Sequence, residues 1–414
     1  MAKTSQQPAG LWFRPPQTPR ARTVLRIPGS HTLYVGPPSC MRRHALHHRK
    51  HGDPSAVSFL RVSQTDVVSG SYEKLIVEAV DELERTLVPP PSILFINLFC
   101  IDDFLGTDAD SLRDLLAARW PGTRFVFDRI HPVALSATNT MSVKKTLNLY
   151  SFLDPVDPSQ KDRGVNLVGS FVALNPESEF FEVLEGWGLG PVRQLFDCAT
   201  YADYQAMARS RVTIVTRFNG GAGARGMEEH LGIPAFDFGP CYDVERIEKS
   251  YGGLAQLLDL PAPDCTPWRT QAEARIRETR DLVGDTPVVV DCEASLVPFA
   301  LARALLAYGF NVTHVFHSHH PFDADTADRV LIAERHPQVV CLPSNDARLH
   351  IGDHAGLALP DPGRTVAVGT TGAAIVGTDR TVDVWHDEGL TGFHGVGLLM
   401  EKIAHAYRTG GNRG

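Results

Sequence analysis

Two cysteines stand where a soft metal ligand is easily displayed. One closes the segment Leu33-Tyr-Val-Gly-Pro-Pro-Ser-Cys40. The other follows the apolar run Leu94-Phe-Ile-Asn-Leu-Phe and opens Cys100-Ile-Asp-Asp-Phe-Leu-Gly-Thr-Asp108. Each comes at the end of a strand-like stretch beside a turn, so a thiolate there would project from a sheet edge. Thiolates suit iron–sulfur clusters; the plain alternative is a buried thiol acting as a small hydrophobe. The seven cysteines (Cys40, Cys100, Cys198, Cys241, Cys265, Cys292, Cys341) are too scattered for a disulfide framework, and no CxxC pair occurs. A metal site must gather ligands that are distant in sequence or that belong to different chains.

A second constellation is Arg217-Phe-Asn219-Gly-Gly221-Ala-Gly223-Ala-Arg225-Gly226, after the apolar run 212–216. It holds a GxGxxG pattern between a strand and a helix, so backbone N–H groups with Arg217, Asn219 and Arg225 could cradle an anion. A dinucleotide fits poorly, since Asp237 comes only eleven residues after Gly226, whereas a ribose-binding acid is expected about twenty residues on. A simple flexible turn remains the alternative. Near the C-terminus, Trp385-His386-Asp-Glu-Gly-Leu-Thr-Gly-Phe-His394-Gly presents two histidines before a helix. Glycines flanking His394 let the backbone approach something closely. An imidazole with a pKa near 6.5 suits proton delivery; a capping loop with an incidental histidine is the other reading. Two further clusters, His44/His47/His48/His51 and His314/His317/His319/His320, read as solvated polar loop residues. On a strand, though, His317 and His319 would share a face and permit a metal pair. Arg42, Arg43, Arg49 and Lys50 form a small basic patch, a solvated face or a phosphate or carboxylate site. No Walker A, GxSxG or HExxH pattern occurs.

The elements that must position these groups alternate along the whole chain. Short Val/Ile/Phe-rich runs at 32–35, 57–62, 93–99, 125–130, 165–168, 212–216, 235–238, 288–291, 312–316, 339–342, 366–369 and 382–385 lack polar alternation, which predicts strands buried on both faces. Between them lie helical patterns at 72–87, 112–120, 180–187, 204–208, 227–231, 268–282, 297–308 and 325–336. Such alternation predicts an α/β chain with doubly wound parallel sheets. Cuts at the polar segment 154–164 and the Pro-rich segment 260–267 give three Rossmann-like units, 23–153, 164–260 and 268–414, after a disordered leader 1–22. In these sheets ligands sit beyond the carboxyl ends of the strands.

The chain has 414 residues, 43% of them hydrophobic, with 40 basic and 48 acidic side chains and a net charge of −8. That excludes wholesale disorder and leaves no broad footprint for nucleic acid. No apolar run reaches the 18 or so residues needed to span a membrane. The leader lacks the apolar core of a secretory signal, so a cytoplasmic location is expected.

These signals together resemble the nitrogenase component 1 superfamily, which includes nitrogenase subunits, light-independent protochlorophyllide reductases, a tetrapyrrole reductive cyclase and cofactor-assembly scaffolds. Val35-Gly-Pro-Pro-Ser-Cys40 is similar to its HGPxGC loop, and Cys100-Ile-Asp-Asp-Phe-Leu-Gly-Thr-Asp108 to its second cysteine motif. Val165-Asn-Leu-Val-Gly169, residues 184–189, Ala199-Thr-Tyr-Ala-Asp-Tyr-Gln, Met227-Glu-Glu-His-Leu-Gly-Ile-Pro234 and Gly392-Phe-His394-Gly follow in the family's order, from about residue 28 to 408. Departures matter as much. Residues 1–39 contain no cysteine, so a third cluster ligand is missing and an eight-iron cluster is not expected. Arg217 falls near where nitrogenase has its cofactor cysteine, which puts dinitrogen reduction in doubt.

The resemblance implies an oxidoreductase subunit that receives electrons from an ATP-dependent iron–sulfur reductase. Cys40 and Cys100 would hold a [4Fe–4S] cluster between chains, in a homodimer or a heterodimer with a related subunit. Arg217, Asn219, Gly221, Gly223 and Arg225 would bind a substrate or cofactor between the units, a further metallocofactor or a tetrapyrrole being the cofactor classes the resemblance offers. His394 would serve there as ligand or proton donor. The chief alternative is a non-catalytic scaffold for metallocofactor assembly. A nucleotide- or sugar-binding enzyme using Gly221–Gly226 would leave the cysteine loops without a role.

Overall fold

Strands buried on both faces must lie inside sheets covered by helices on two sides; the runs at 93–99, 165–168, 212–215 and 288–291 do so, while those at 57–61 and 235–237 are part-exposed strands at sheet edges. In the computed structural model, residues 26–51, 53–130, 149–170, 172–318, 323–349 and 357–410 are described. The leader 1–22, His319 and His320 lie outside them, as do the side chains of His47, Lys50, His51 and Asn219.

Three all-parallel sheets result. The first comprises β1 (Ser30–Gly36), β2 (Val57–Arg61), β3 (Ile93–Phe99) and β4 (Arg124–Ile130), in the order β2-β1-β3-β4. The second comprises β5 (Val165–Val168), β6 (Val192–Gln194), β7 (Val212–Val215) and β8 (Ala235–Asp237), in the order β6-β5-β7-β8. The third comprises β9 (Val288–Asp291), β10 (Val312–His317), β11 (Val340–Pro343), β12 (Val366–Val368) and β13 (Thr381–Val382), in the order β11-β10-β9-β12-β13. The fold class expected from the alternation is therefore the one observed.

The cores follow from the same runs. Leu33, Val35, Leu94, Ile96 and Leu98 pack with Ile76 and Val80 of the helix Tyr72–Thr86 and Leu112 and Leu116 of Ala109–Arg119. A larger core runs unbroken from β5 and β7 to β9 and the C-terminal helix Gly392–Thr409, through Tyr251, Phe393 and Leu399. No described helix is long and apolar enough to cross a membrane.

Several elements differ from expectation. β6 has three residues, one of them apolar, too few to show a pattern. The helix Pro38–His51 is rich in His and Arg. Its inward face is Met41, His44 and His48, with imidazoles where apolar residues would signal a helix. His48 is buried and its Nε2 lies 3.0 Å from the Tyr34 hydroxyl. His314 and His317 are likewise buried, not solvated. The helix Val244–Leu258 does carry helical spacing (Val244, Ile247, Tyr251, Leu254, Leu258), and Asp243 caps it by accepting from the Glu245 and Arg246 amides. Its internal Gly252-Gly253 pair disguised it, although Gly253 faces the Phe236 ring, where a Cβ would lie 3.2 Å away.

Candidate functional site

Doubly wound sheets collect ligands where the strand order reverses. Here those switch points lie between β1 and β3, between β5 and β7, and between β9 and β12.

The first is flanked by Cys40 and Cys100. β1 and β3 are hydrogen-bonded neighbours, with Val35 opposite Leu98. Beyond Gly36 the chain turns at Pro37, whose carbonyl accepts from the Cys40 amide at 3.0 Å, so Cys40 lies in the first turn of the helix Pro38–His51. Negative charge is favoured at that end of a helix. Cys100 directly follows Phe99 and caps the short helix Ile101–Leu105. Both cysteines are half-buried. Gly36 is required here because a Cβ would lie 2.8 Å from Phe99 Cδ2. Tyr34, Met41 and Phe99 form a small apolar base, with Cys40 packed on it.

The rest of the Cys100 motif braces its turn. Asp102 is fully buried and accepts from Arg129 Nε at 2.8 Å, while Arg129 Nη2 donates to the Thr107 carbonyl at 3.0 Å. Gly106 ends the short helix in the left-handed region, and Asp108 caps the next helix through the Ser111 amide at 3.0 Å. The other five thiols are disfavoured as thiolates. Burial pushes Cys198 and Cys265 up to about 11 and Cys292 up to about 12, and it raises Cys241 and Cys341. Among the described residues, no three His, Cys, Asp or Glu side chains gather as a metal site within this chain.

The second switch point is closed by the chain itself. Gly169 (φ +104°) and Gly220 let β5 and β7 run together; a Cβ on Gly220 would lie 2.7 Å from the Val168 carbonyl oxygen. Arg217 is 1% exposed and sits 5.6 Å over the Trp385 ring. Its Nη1 donates to the Gly169 carbonyl at 3.4 Å and lies 3.6 Å from Glu388 Oε1. The expected Gly-rich loop is largely helix, because Phe218–Gly220 forms a 3-10 turn and the helix Gly221–Leu231 starts at once. Gly221 and Gly223 lie inside that helix, Gly223 is buried, and Arg225 is exposed near Asp237.

At the third switch point Asp291 plays the part of an anion. Its carboxylate accepts from the Glu293 and Ala294 amides at 2.8 Å and from the Gly372 amide at 2.5 Å. Gly369 (φ +115°) leaves room that a Cβ would take from it. Asp325, also fully buried, caps the helix Pro298–Ala307 through the Phe299 and Ala300 amides at 3.0 and 2.8 Å. Burial pushes Asp291 up to about 6 and Asp325 up to about 7, with Asp328 and Asp387 adding to the latter. A carboxyl raised in the folded state holds its proton there longer than in the unfolded chain, whose value is about 3.9. Its stabilising contribution is therefore complete below about pH 4 and lost as pH rises toward 7. Asp325→Asn is expected to flatten the decline of thermal stability between those pH values, read from melts across the range. An unchanged slope would refute the assignment.

His394 occupies the junction of the second and third sheets. It lies in the first turn of Gly392–Thr409, and its amide donates to Glu179 Oε2 at 3.0 Å. Glu179, buried in the helix Glu179–Gly186, also accepts from the Phe393 amide at 2.7 Å and the Tyr251 hydroxyl at 2.9 Å. The flanking glycines are explained by the chain's own closeness. A Cβ on Gly392 (φ +67°) would collide with Glu179, and one on Gly395 with Leu390. His394 Nε2 lies 2.9 Å from Asn175 Nδ2.

Just before this turn, His386 and Asp387 both take positive φ, 45° and 65°. Asp387 is held by the Tyr242 hydroxyl and by the Leu296 amide at 3.1 Å. Glu388 pairs with Arg217 at 3.6 Å, so the loop joins Arg217 to the His394 turn. Glu179, Asn175, Tyr251 and Glu388 carried no sequence signal, because their partners are remote residues or anonymous backbone amides. The cysteine pair stands separately, on the first sheet.

The sequence matches the model of the nitrogenase component 1 type oxidoreductases over residues 21–352. The chain belongs to this family. Its members bind iron–sulfur clusters and work as oligomers with a reductase component. The fold agrees. "Nitrogenase Cp1 at pH 6.5" superposes with a TM-score of 0.71 at 14% identity, covering 97% of this chain and 94% of that one. "Nitrogenase Cp1 at pH 5" gives 0.65 at 15% identity, with 98% and 90% covered. No curated protein matches the sequence. The family match includes both cysteines and Arg217 and ends before His394.

Proposed function

We propose that the chain is one subunit of a nitrogenase-like reductase, in which Cys40 and Cys100 provide half the ligands of an intersubunit [4Fe–4S] cluster. The observation that carries this reading is the placement of two half-buried thiols, one after each of the neighbouring strands that flank the first switch point. Two thiols fall short of the four such a cluster takes, so a second copy or a related chain completes the set. Bound there, the cluster supplies one-electron transfer; an ATP-dependent iron–sulfur reductase in the same cytoplasmic compartment is the partner.

The chain's own residues do the rest. In the first unit (23–153), Asp102 and Arg129 brace the turn that carries Cys100. The middle (164–260) and C-terminal (268–414) units meet at Arg217, Glu388 and His394. There Arg225 contributes an exposed charge that would orient an anionic substrate group, while Arg217, buried and paired with Glu388, fixes the loop that leads to His394.

Anaerobic purification with iron and sulfide analysis tests the reading. About two irons per chain are expected, from a four-iron cluster shared by two chains; a protein without iron overturns it. Turnover with the reductase separates this role from an assembly scaffold, which would release its cluster to an acceptor protein instead.

A further inference from the structure

We infer that Asn175 is a positioning residue that fixes His394 as the tautomer protonated on Nδ1, so that His394 offers a hydrogen-bond donor to a substrate oxygen and not a lone pair to a metal. The inference deepens the proposed function and rests on its placing the substrate where the middle and C-terminal units meet, beside His394.

The argument is one of donors and acceptors. A side-chain amide has one acceptor end and one donor end, and its neighbours decide which way it points. The Glu177 amide donates to Asn175 Oδ1 at 3.0 Å. Turned over, Asn175 would set its own NH2 against that N–H. Its NH2 therefore faces His394 Nε2, 2.9 Å away. Nε2 must accept, and the single proton of a neutral imidazole then sits on Nδ1. Nδ1 meets no partner among the described residues, and His394 is half-buried.

The backbone that carries the ring is fixed: the Glu179 carboxylate holds it through two consecutive amides, and Gly392 and Gly395 are wedged against Glu179 and Leu390.

The arrangement is the reverse of what metal ligation asks. A ligating imidazole gives its other N–H to an acceptor; here the group facing Nε2 is a donor. Ligation through Nδ1 would move the proton to Nε2 and set N–H against N–H at 2.9 Å. Outright proton delivery would require the cation, whose Nε2–H meets the same NH2. A neutral imidazole N–H can still polarise an oxygen without giving up its proton. The ligand class is therefore a molecule with a carbonyl, carboxylate or other acceptor oxygen at this position.

The test is the tautomer itself, read in the full chain labelled with 15N-histidine by long-range proton–nitrogen correlation above about pH 8. The His394 signals are identified by their loss in His394→Gln. Wild type is expected to show Nδ1 protonated and Nε2 bare. Asn175→Asp keeps an acceptor for the Glu177 amide but faces Nε2 with an oxygen, so the proton should move to Nε2. Asn175→Ala, which removes both constraints, should give a mixture and serves if the aspartate variant does not fold. A wild-type signal with Nε2 protonated, or variants with an unmoved proton, would overturn the inference. The readout needs neither cluster nor substrate. If the tautomer holds while the protein proves free of iron, the reductase reading falls and the positioning role stands.

Discussion

Cys40→Ser is expected to reduce the iron bound per chain from about two to less than about a tenth of that, with loss of the visible cluster absorption and of reductase-dependent turnover. In a symmetric pair of chains one substitution removes two of four thiolates, and a serine hydroxyl is a harder and far less acidic ligand. Cys100→Ser should do the same. Its side chain opens a turn already held by Asp102, Arg129, Gly106 and Asp108, so a near-isosteric replacement leaves the fold in place. Cys341→Ser is the control. That thiol lies on β11, half-buried and raised by burial, and its loss should leave iron unchanged. Iron retained in full by both Cys40→Ser and Cys100→Ser would remove the cluster from this site. Circular dichroism separates ligand loss from unfolding.

The place of each cysteine after a strand was legible because the strand ends that set it are local features. β3 is a run of seven residues whose only polar member, Asn97, is also buried, so its end at Phe99 could be read to the residue. β1 opens on three polar residues, Ser30, His31 and Thr32, so only its apolar end at Leu33-Tyr-Val was legible, and a cysteine soon after each strand is thereby placed near the sheet edge. The Gly-rich segment misled for a related reason. Its GxGxxG pattern begins at Gly221, inside a helix, while the glycine that the fold demands is Gly220, pressed against Val168. A pattern of types cannot distinguish a glycine required by a close approach from one that merely lies nearby. Arg217 shows the opposite failure. Its type suggested a ligand-facing cation, but its charge is matched by Glu388, which reaches it only once the third unit has folded against the second. His44 and His48 read as solvent-facing because their polarity hides the helical face they occupy against Tyr34.

Glu179→Ala is expected to cost about 3–5 kcal/mol, because it strips one buried carboxylate from several donors at once. Oε1 accepts from the Phe393 amide and the Tyr251 hydroxyl, and Oε2 from the His394 amide, with Ser178 Oγ at 3.4 Å. Two of these donors are orphan amides at the start of Gly392–Thr409, where helix geometry supplies no partner and the dipole favours an anion. The remaining void and unsatisfied donors lie in the core shared by the second and third sheets, so relaxation offers little relief. Glu179→Gln keeps the volume but turns an NH2 toward one pair of donors, for a cost of about 2 kcal/mol. Tyr251→Phe removes one neutral donor and leaves the cap, for about 1 kcal/mol. Because a chain of several units need not unfold in one step, the decisive measurement is local: amide hydrogen exchange at Phe393 and His394. A loss of about 3 kcal/mol at this cap corresponds to exchange faster by about a hundredfold. Exchange unchanged in Glu179→Ala would mean that the first turn is held by something else. A gain at these two amides with the first sheet unaffected would place the fastening where the geometry does, between the helix Glu179–Gly186 and the turn that carries His394.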